Sequence, residues 1–491
     1  MKDYKIPTLN INKFSDKEFS LYSFSARDYR KLHIVNENLI KLSDLLEEKH
    51  KAGKEIGSEN YMKKSKYRFL KTVNISKNYI LDETSIEYCK PENKVFPKKN
   101  EILIVKDGAG DGLGEVALYP YDNSENLDSL SAGIIAINIK EEKRYYVFGL
   151  LKSNHFKNYI DLNTAQGSTI RHAKLIALDY KIPFPTTNNH QEPEKIEKLV
   201  SIITQNIIDK EEKINEKNKK IDKLIEKELQ ENQKSENNFK YSYPKISEIK
   251  KESRLDTGIY EKEFKEIDFL IRNYGGGFMR FKDFKISFKS GETPKNYIQK
   301  NKGSYIWVSN RDFRKNIWKS FTEINAQYVK NTVPINSILF SRRAPAGVNQ
   351  VILEDHNMIV NDGIKIITSN KFDHSNVIFI SLFFNSSLFQ NILIQLSGGG
   401  VFGGMTNIDI ENMLIPNFSD QKQQEIAKEY YNKINNNQNL NLDNYLELEK
   451  ARNDQLGIFQ LNMEIFTLRE KLENIIDKII NDKKIDINLN Y

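Results

Sequence analysis

The chain contains one cysteine, Cys89, among 491 residues. A single thiol forms no internal disulfide and cannot build a four-cysteine zinc site; the expected setting is the reducing cytoplasm. The seven histidines are scattered, none at metal-ligand spacing from another, so no metal is expected on this chain. No window approaches the ~18 uninterrupted apolar residues of a membrane span, and residues 1–14 hold no apolar stretch of the signal-peptide kind. A membrane partner is therefore not expected. Catalytic motifs are missing too. There is no Gly-x-Ser-x-Gly elbow and no Asn/Asp-Pro-Pro-Tyr/Phe box of an amino-methyltransferase. Glu248-Ile249-Lys250 has no upstream strand acid and reads as a solvated turn. No catalytic residue is assigned.

Glycine is concentrated rather than abundant. Gly108 to Gly114 invites a phosphate-cradle reading, which its context opposes. A dinucleotide fingerprint leads from a strand into a helix, whereas this stretch runs into the β-prone Glu115-Val116-Ala117-Leu118-Tyr119. No Lys-Ser or Lys-Thr closes it. The spacing predicts a β-turn.

What the chain does have is apolar and aromatic substance: 39% hydrophobic, with 24 Tyr and 27 Phe. That suffices for more than one domain. The net charge of +7 indicates nucleic acid only where it gathers on one face.

The chain also states one pattern twice. Residues 150–183 align without a gap on 383–416, at a constant offset of 233. Ser153 falls on Ser386, Phe156-Lys157-Asn158 on Phe389-Gln390-Asn391, Gly167 on Gly400, and Ile182-Pro183 on Ile415-Pro416. An interval this long implies two similar domains, not a solenoid. In the first, Glu101 to Val105, Glu115 to Tyr119 and Gly133 to Ile137 read as strands, Tyr145 to Ile160 as a helix, and Leu178 to Pro185 as extended. In the second, Ser304 to Val308, Ser337 to Phe340 and Gly363 to Ile367 are strands, with Ala344-Pro345-Ala346-Gly347 in place of the glycine-rich turn.

A helix with seven-residue periodicity follows each copy. Val200, Ile207, Ile214 and Ile221 form one seam position of the first, with Ile203 and Leu224 in the other, which Lys210 and Lys217 interrupt. Ile458, Leu461, Ile465, Leu468, Leu472, Ile475 and Ile479 fill the seam of the second. Such narrow stripes want a partner helix, so the two are expected to pair as an antiparallel coiled coil with the heads at opposite ends. The fold class is α+β: two similar mixed α/β domains, each followed by a long helix. The boundaries read 1–194 for the first head, 195–235 for its helix, 236–420 for the second head and 421–491 for the second helical region.

Several loops combine glycine, hydroxyls and arginine, the chemistry of phosphate and base-edge contact. Ser168, Thr169, Arg171 and Lys174 are candidates in the first head. Asn310, Arg311, Arg342 and Arg343 lie at strand ends in the second, and Gly399 and Gly400 form the counterpart of Gly167 and its neighbours. The heads differ in these loops, as readers of two sequences would.

The layout resembles the specificity subunit of a Type I restriction–modification enzyme. The residues that carry the resemblance in the first head are Lys41 to Leu45, Ile102 to Val116, and Gly167-Ser168-Thr169 through Ile182-Pro183-Phe184-Pro185. In the second they are Arg254-Leu255-Asp256 with Tyr260, Gly291-Glu292-Thr293-Pro294, Tyr305 to Val308, Ser337 to Gly347, and Ile415-Pro416 into Gln421 to Ala427. The sequence departs from the pattern in its first forty residues and in the long apolar stretch after Gln455. The resemblance implies two target-recognition domains, each reading half of a split site on double-stranded DNA, with the helices as spacer and as docking surface for methyltransferase (M) subunits. S-adenosylmethionine would sit on those subunits, and ATP and Mg on a separate restriction/translocase (R) subunit, with no cofactor on this chain. Three other readings remain open: the recognition subunit of a fused methyltransferase–nuclease, a DNA-modifying enzyme whose site is unrecognised, and a protein-binding scaffold.

Overall fold

A computed structural model describes residues 32–83, 86–90, 95–122, 127–165, 168–187, 192–234, 239–252, 258–293, 298–299, 303–325, 329, 331–343, 346–396, 404–434 and 439–489. The chain forms two compact units. Unit 1 takes residues 1–212, 436–453 and 464–491; unit 2 takes 213–435 and 454–463.

In unit 1, Ile102–Val105 and Ile134–Ile137 are fully buried, as runs of β-branched residues covered on both faces should be. They are the inner strands of a four-stranded sheet in the order Lys51–Ala52, Ile134–Ile137, Ile102–Val105, Val116–Leu118, with every pairing antiparallel. A second sheet runs Tyr61–Met62, Glu87–Cys89, Tyr67–Leu70, Leu127–Leu130, its last pair parallel. Leu39–Lys41 pairs with Lys181–Pro183. Leu70, Leu103, Val105, Ala117, Tyr119, Leu130 and Ile134 share one apolar core.

Unit 2 repeats these three sheets in the same strand order. Its first sheet runs Ser287–Ser290, Ile364–Thr368, Ser337–Ser341, Asn349–Ile352, all antiparallel. Its second runs Ile298–Gln299, Thr322–Asn325, Tyr305–Val308, Met358–Val360, again with a parallel last pair. Phe278–Arg280 pairs with Leu414–Pro416. Two similar mixed heads in an α+β chain are what the structure contains.

The aligned residues owe their identity to local physics. The helix expected over Tyr145 to Ile160 is two helices, Arg144–Leu151 and Asn154–Asn163. Ser153 breaks it, because its extended backbone and hydroxyl make it the N-cap of the second piece. Ser153 Oγ donates to Leu150 O at 2.6 Å and accepts from Phe156 N at 3.3 Å. Ser386 makes the same two bonds, at the same lengths, to Phe383 O and Phe389 N, between His374–Asn385 and Ser387–Leu396. The glycine-rich stretch of unit 1 turns back into Val116–Leu118 as a strand. Gly114 (φ +77°) and Gly347 (φ +84°) end the equivalent turns, and a Cβ on either would press on Ile160 or Leu393, the same helical position in both copies. Only glycine satisfies both the left-handed backbone and the close approach.

The first long helix is Pro193–Glu231 and the second is Ile458–Ile480. Their parts in unit 1 run antiparallel. Lys210 meets Glu464 at 2.7 Å, while Gly149 lies against Val200 and Leu472. The boundary between the units cuts both helices, whereas the sequence reading gave each head a helix of its own. Among the described residues no single helix is long and apolar enough to cross a membrane.

Candidate nucleic-acid interface

The strands of unit 2 bring four of the sequence-selected residues together. Tyr305–Val308 leads into Asn310 and Arg311, and Ser337–Ser341 leads into Arg342 and Arg343. Asn310 Nδ2 donates to Ser341 Oγ at 2.8 Å. Arg342 N donates to Gly363 O at 3.0 Å, and Met405 N to Arg342 O at 3.4 Å. Arg343 reaches Asp362 at 3.2 Å. A Cβ on Gly363 would stand 2.8 Å from Asn310 Oδ1, so the loops are interlocked. Arg311 is exposed. Lys365, which sequence reasoning passed over, enters from the neighbouring strand and donates to Ser290 Oγ at 2.9 Å. Burial first, and the Arg342 guanidinium second, hold its ammonium below the usual lysine pKa. Its signal was the odd position of a charge inside the apolar run Gly363 to Ile367.

The same end of unit 1 is built from Lys106, Asp107 and Gly133 with the strand Ile170–His172. Lys106 N donates to Gly133 O at 2.8 Å and Ala173 N to Lys106 O at 2.8 Å, matching the bonds of Arg342. Arg171 sits opposite Gly108. Its guanidinium is turned inward, reaching Asp161 Oδ1 at 2.7 Å and the carbonyls of Asp161 at 3.0 Å and Thr164 at 3.4 Å. It thereby caps the carbonyl end of Asn154–Asn163, a favourable place for a cation. Ser168, Thr169 and Lys174 are exposed, Lys174 in the left-handed region at φ +49°. Gly399 and Gly400 lie outside the described residues, as does Gly167.

Along the long helices Val200, Ile203, Ile207, Ile214 and Ile221 are buried, as are Ile458, Leu461, Ile465, Leu468, Leu472, Ile475 and Ile479. Leu224 is half-buried, and Ile225 and Leu229 take the buried stripe there. A straight helix drifts by ~20° per heptad, which carries the stripe from 224 to 225 after three heptads. The Lys210 interruption is a buried charge cluster. Its ammonium, fully buried, donates to Asn453 Oδ1 at 2.6 Å, Glu464 Oε2 at 2.7 Å and Glu449 Oε2 at 3.3 Å. Arg452 ties Glu449 and Glu464 to each other at 2.6–3.0 Å.

Two further basic side chains have buried structural posts in unit 1. Lys152 donates to the carbonyls of Ser76, Asn78 and Val116 at 2.8–3.1 Å, and burial draws its pKa down to about 8. His155 hydrogen-bonds Tyr180 OH at 2.7 Å, and burial brings its pKa to about 4. Among the described residues no group of three or more His, Cys, Asp or Glu is arranged to hold a metal.

Residues 277–456 match the family described as the Type I restriction modification DNA specificity domain. The chain is also similar to solved structures. One is the S subunit of a type-I restriction-modification system from M. genitalium: 13% identity over 93% of this chain and 100% of that chain, TM-score 0.40. Another is the HsdS subunit from Thermoanaerobacter tengcongensis: 14% identity over 90% of this chain and 96% of that one, TM-score 0.27.

Proposed function

Because residues 277–456 match the family of the Type I restriction modification DNA specificity domain and unit 1 repeats the sheets of unit 2, we propose that the chain is the DNA-recognition subunit of such a complex and performs no catalysis itself. Each head reads one half of a split target on double-stranded DNA, in the cytoplasm. The two long helices set the spacing and dock methyltransferase subunits, which carry S-adenosylmethionine. A restriction/translocase subunit supplies ATP- and Mg-dependent chemistry. What the chain's own residues do is hold loops of differing chemistry at the ends of matching strands. Arginine and hydroxyl groups there position the backbone and read base edges, each good base contact worth about 1–3 kcal/mol.

One observation carries the reading: two heads with one strand order present different side chains at the same sheet end. The test is a hybrid. Residues 1–194 are replaced by the corresponding head of a relative with a known target, and methylated adenines are mapped in cells that carry the partner subunits. One half of the modified site is expected to change and the other to persist. A hybrid that altered both halves would refute independent reading.

A further inference from the structure

The sheet-end loops of the two units differ in one respect that matters to a polyanion. In unit 1 three of the cations there are paired internally, while Lys174 stands exposed. Lys106 pairs with Asp107, Arg171 with Asp161 at 2.7 Å, and Lys71 with Glu87 at 2.7 Å. His172 also faces Asp107, at 3.0 Å.

In unit 2, Arg342, at the position of Lys106, and Lys365, where unit 1 has Ile135, have no such partners among the described residues. The side chain of Arg342 meets a carbonyl, Met405 O, at 3.3 Å, and that of Lys365 meets a hydroxyl, Ser290 Oγ, at 2.9 Å. Among the described residues neither is paired with a carboxylate. Lys365 is only 9% exposed, and the partner of its ammonium is a hydroxyl, not a counter-charge. Arg311 stands exposed in the adjoining loop. Arg343 does have Asp362, but that pair is 70% and 61% exposed, and an ion pair so open to solvent is worth little.

A buried and a half-buried like charge that repel each other raise the free energy of the free protein, and a phosphate between them recovers it. The geometry points to unequal roles for the heads. The second head carries the phosphate anchor, built on Arg342 and Lys365 with Arg311 beside them, and supplies most of the salt-dependent affinity. The first head, with Lys71, Lys106 and Arg171 spent on its own carboxylates and Lys174 as its exposed cation, contributes chiefly base-edge and shape contacts. This division rests on the DNA-binding reading given above.

The test uses the full chain and a fluorescein-labelled 40-bp duplex of random sequence, titrated by anisotropy between 50 and 200 mM KCl. Each phosphate contact contributes about 0.9 to the slope of log K against log[salt]. R342Q/K365Q is expected to reduce that slope by about 2 and to weaken binding on the order of 30-fold at 150 mM. A pair from the same end of the first head, K106Q/R171Q, is expected to reduce it by less than half as much. R342K/K365R, which preserves both charges, should keep the native slope. Equal losses from the two heads would overturn the proposal. So would a loss in the charge-preserving variant, which would assign the effect to packing. Failure of the native chain to bind the duplex even at 50 mM would instead bring down the DNA reading itself.

Discussion

Replacing Lys210 by methionine keeps the length and apolar stem of the side chain and removes only its charge. In the structure the ammonium is fully buried and shared among Asn453, Glu464 and Glu449. Without it, two carboxylates face a single guanidinium, Arg452, and one net negative charge is left in an interior with little water. Breaking a buried pair in this way costs about 3–5 kcal/mol. For a folding unit of this size each kcal/mol lowers the melting midpoint by about 2–4 °C, so the transition of unit 1 should fall by roughly 6–20 °C. Differential scanning calorimetry of the full chain reads this, and the transition of unit 2 serves as an internal reference. The attribution to charge is checked by adding Glu464→Gln, which removes the excess carboxylate and should restore part of the loss, a coupling of about 1–3 kcal/mol. A Lys210→Met protein melting within 2 °C of the native one would refute the reasoning, as would a double variant no more stable than the single.

Two further outcomes are expected from the repeat. Gly347→Ala should destabilise unit 2 by about 1–3 kcal/mol, because a Cβ there would lie 2.6 Å from Leu393 Cδ1 at φ +84°. Gly114→Ala should cost less, since its nearest contacts with Ile160 are 3.2 Å; melting midpoints compare the two, and a reversed order would contradict the packing. His155, with its folded pKa near 4 against ~6.5 unfolded, binds protons more readily once unfolded. Its contribution is therefore complete above pH 6.5 and is lost as pH falls toward 4, by at most ~3 kcal/mol. His155→Leu, the residue that the second head has at this position (Leu388), should flatten the melting midpoint of unit 1 between those pH values. An unchanged acid dependence would show that other groups set it.

The heads were legible in the sequence because their shared residues do local work. Ser153 and Ser386 cap helices, Gly114 and Gly347 close turns, and Ile182-Pro183 and Ile415-Pro416 pair with the opening strand of each head. Local work leaves a fixed sequence trace. The long helices were half legible. Their seven-residue spacing shows the stripe, but spacing does not reveal that Lys210 has buried partners in Tyr445–Gln455. The interface was the least legible. Arg171 and Arg342 look alike as residues, and only the folded surroundings separate a cation capping a helix from one without a carboxylate. Lys365 sits in an apolar strand, where a pattern reader sees an exception rather than a site.

The helices carry a second repeat, and it reassigns what belongs to each head. Glu211 of the first helix accepts from Tyr79 N and Ile80 N at 2.7 and 3.0 Å in unit 1. Asn462 of the second takes Trp318 N at 2.8 Å in unit 2. Glu473 of the second helix receives Asn154 N at the start of Asn154–Asn163, and Asp222 of the first receives Ser387 N at the start of Ser387–Leu396. An anion at a helix N-terminus is stabilising in both cases. Glu211 and Asn462 stand as far apart in sequence as Asp222 and Glu473, so the two helices are equivalent position by position, at an interval longer than that of the heads. The difference arises between Tyr430 and Ile458. There the chain makes an excursion whose ends meet, Gly457 N on Asn432 O at 3.2 Å, and which carries Tyr445–Gln455. Each head is thus fastened by residues from both helices, and the two helices exchange roles from one head to the other. A grafted first head must therefore present its backbone to Glu211 and Glu473 alike. A replacement that matched the first helix alone would leave the Glu473 carboxylate without its helix terminus and the head held by half of its contacts.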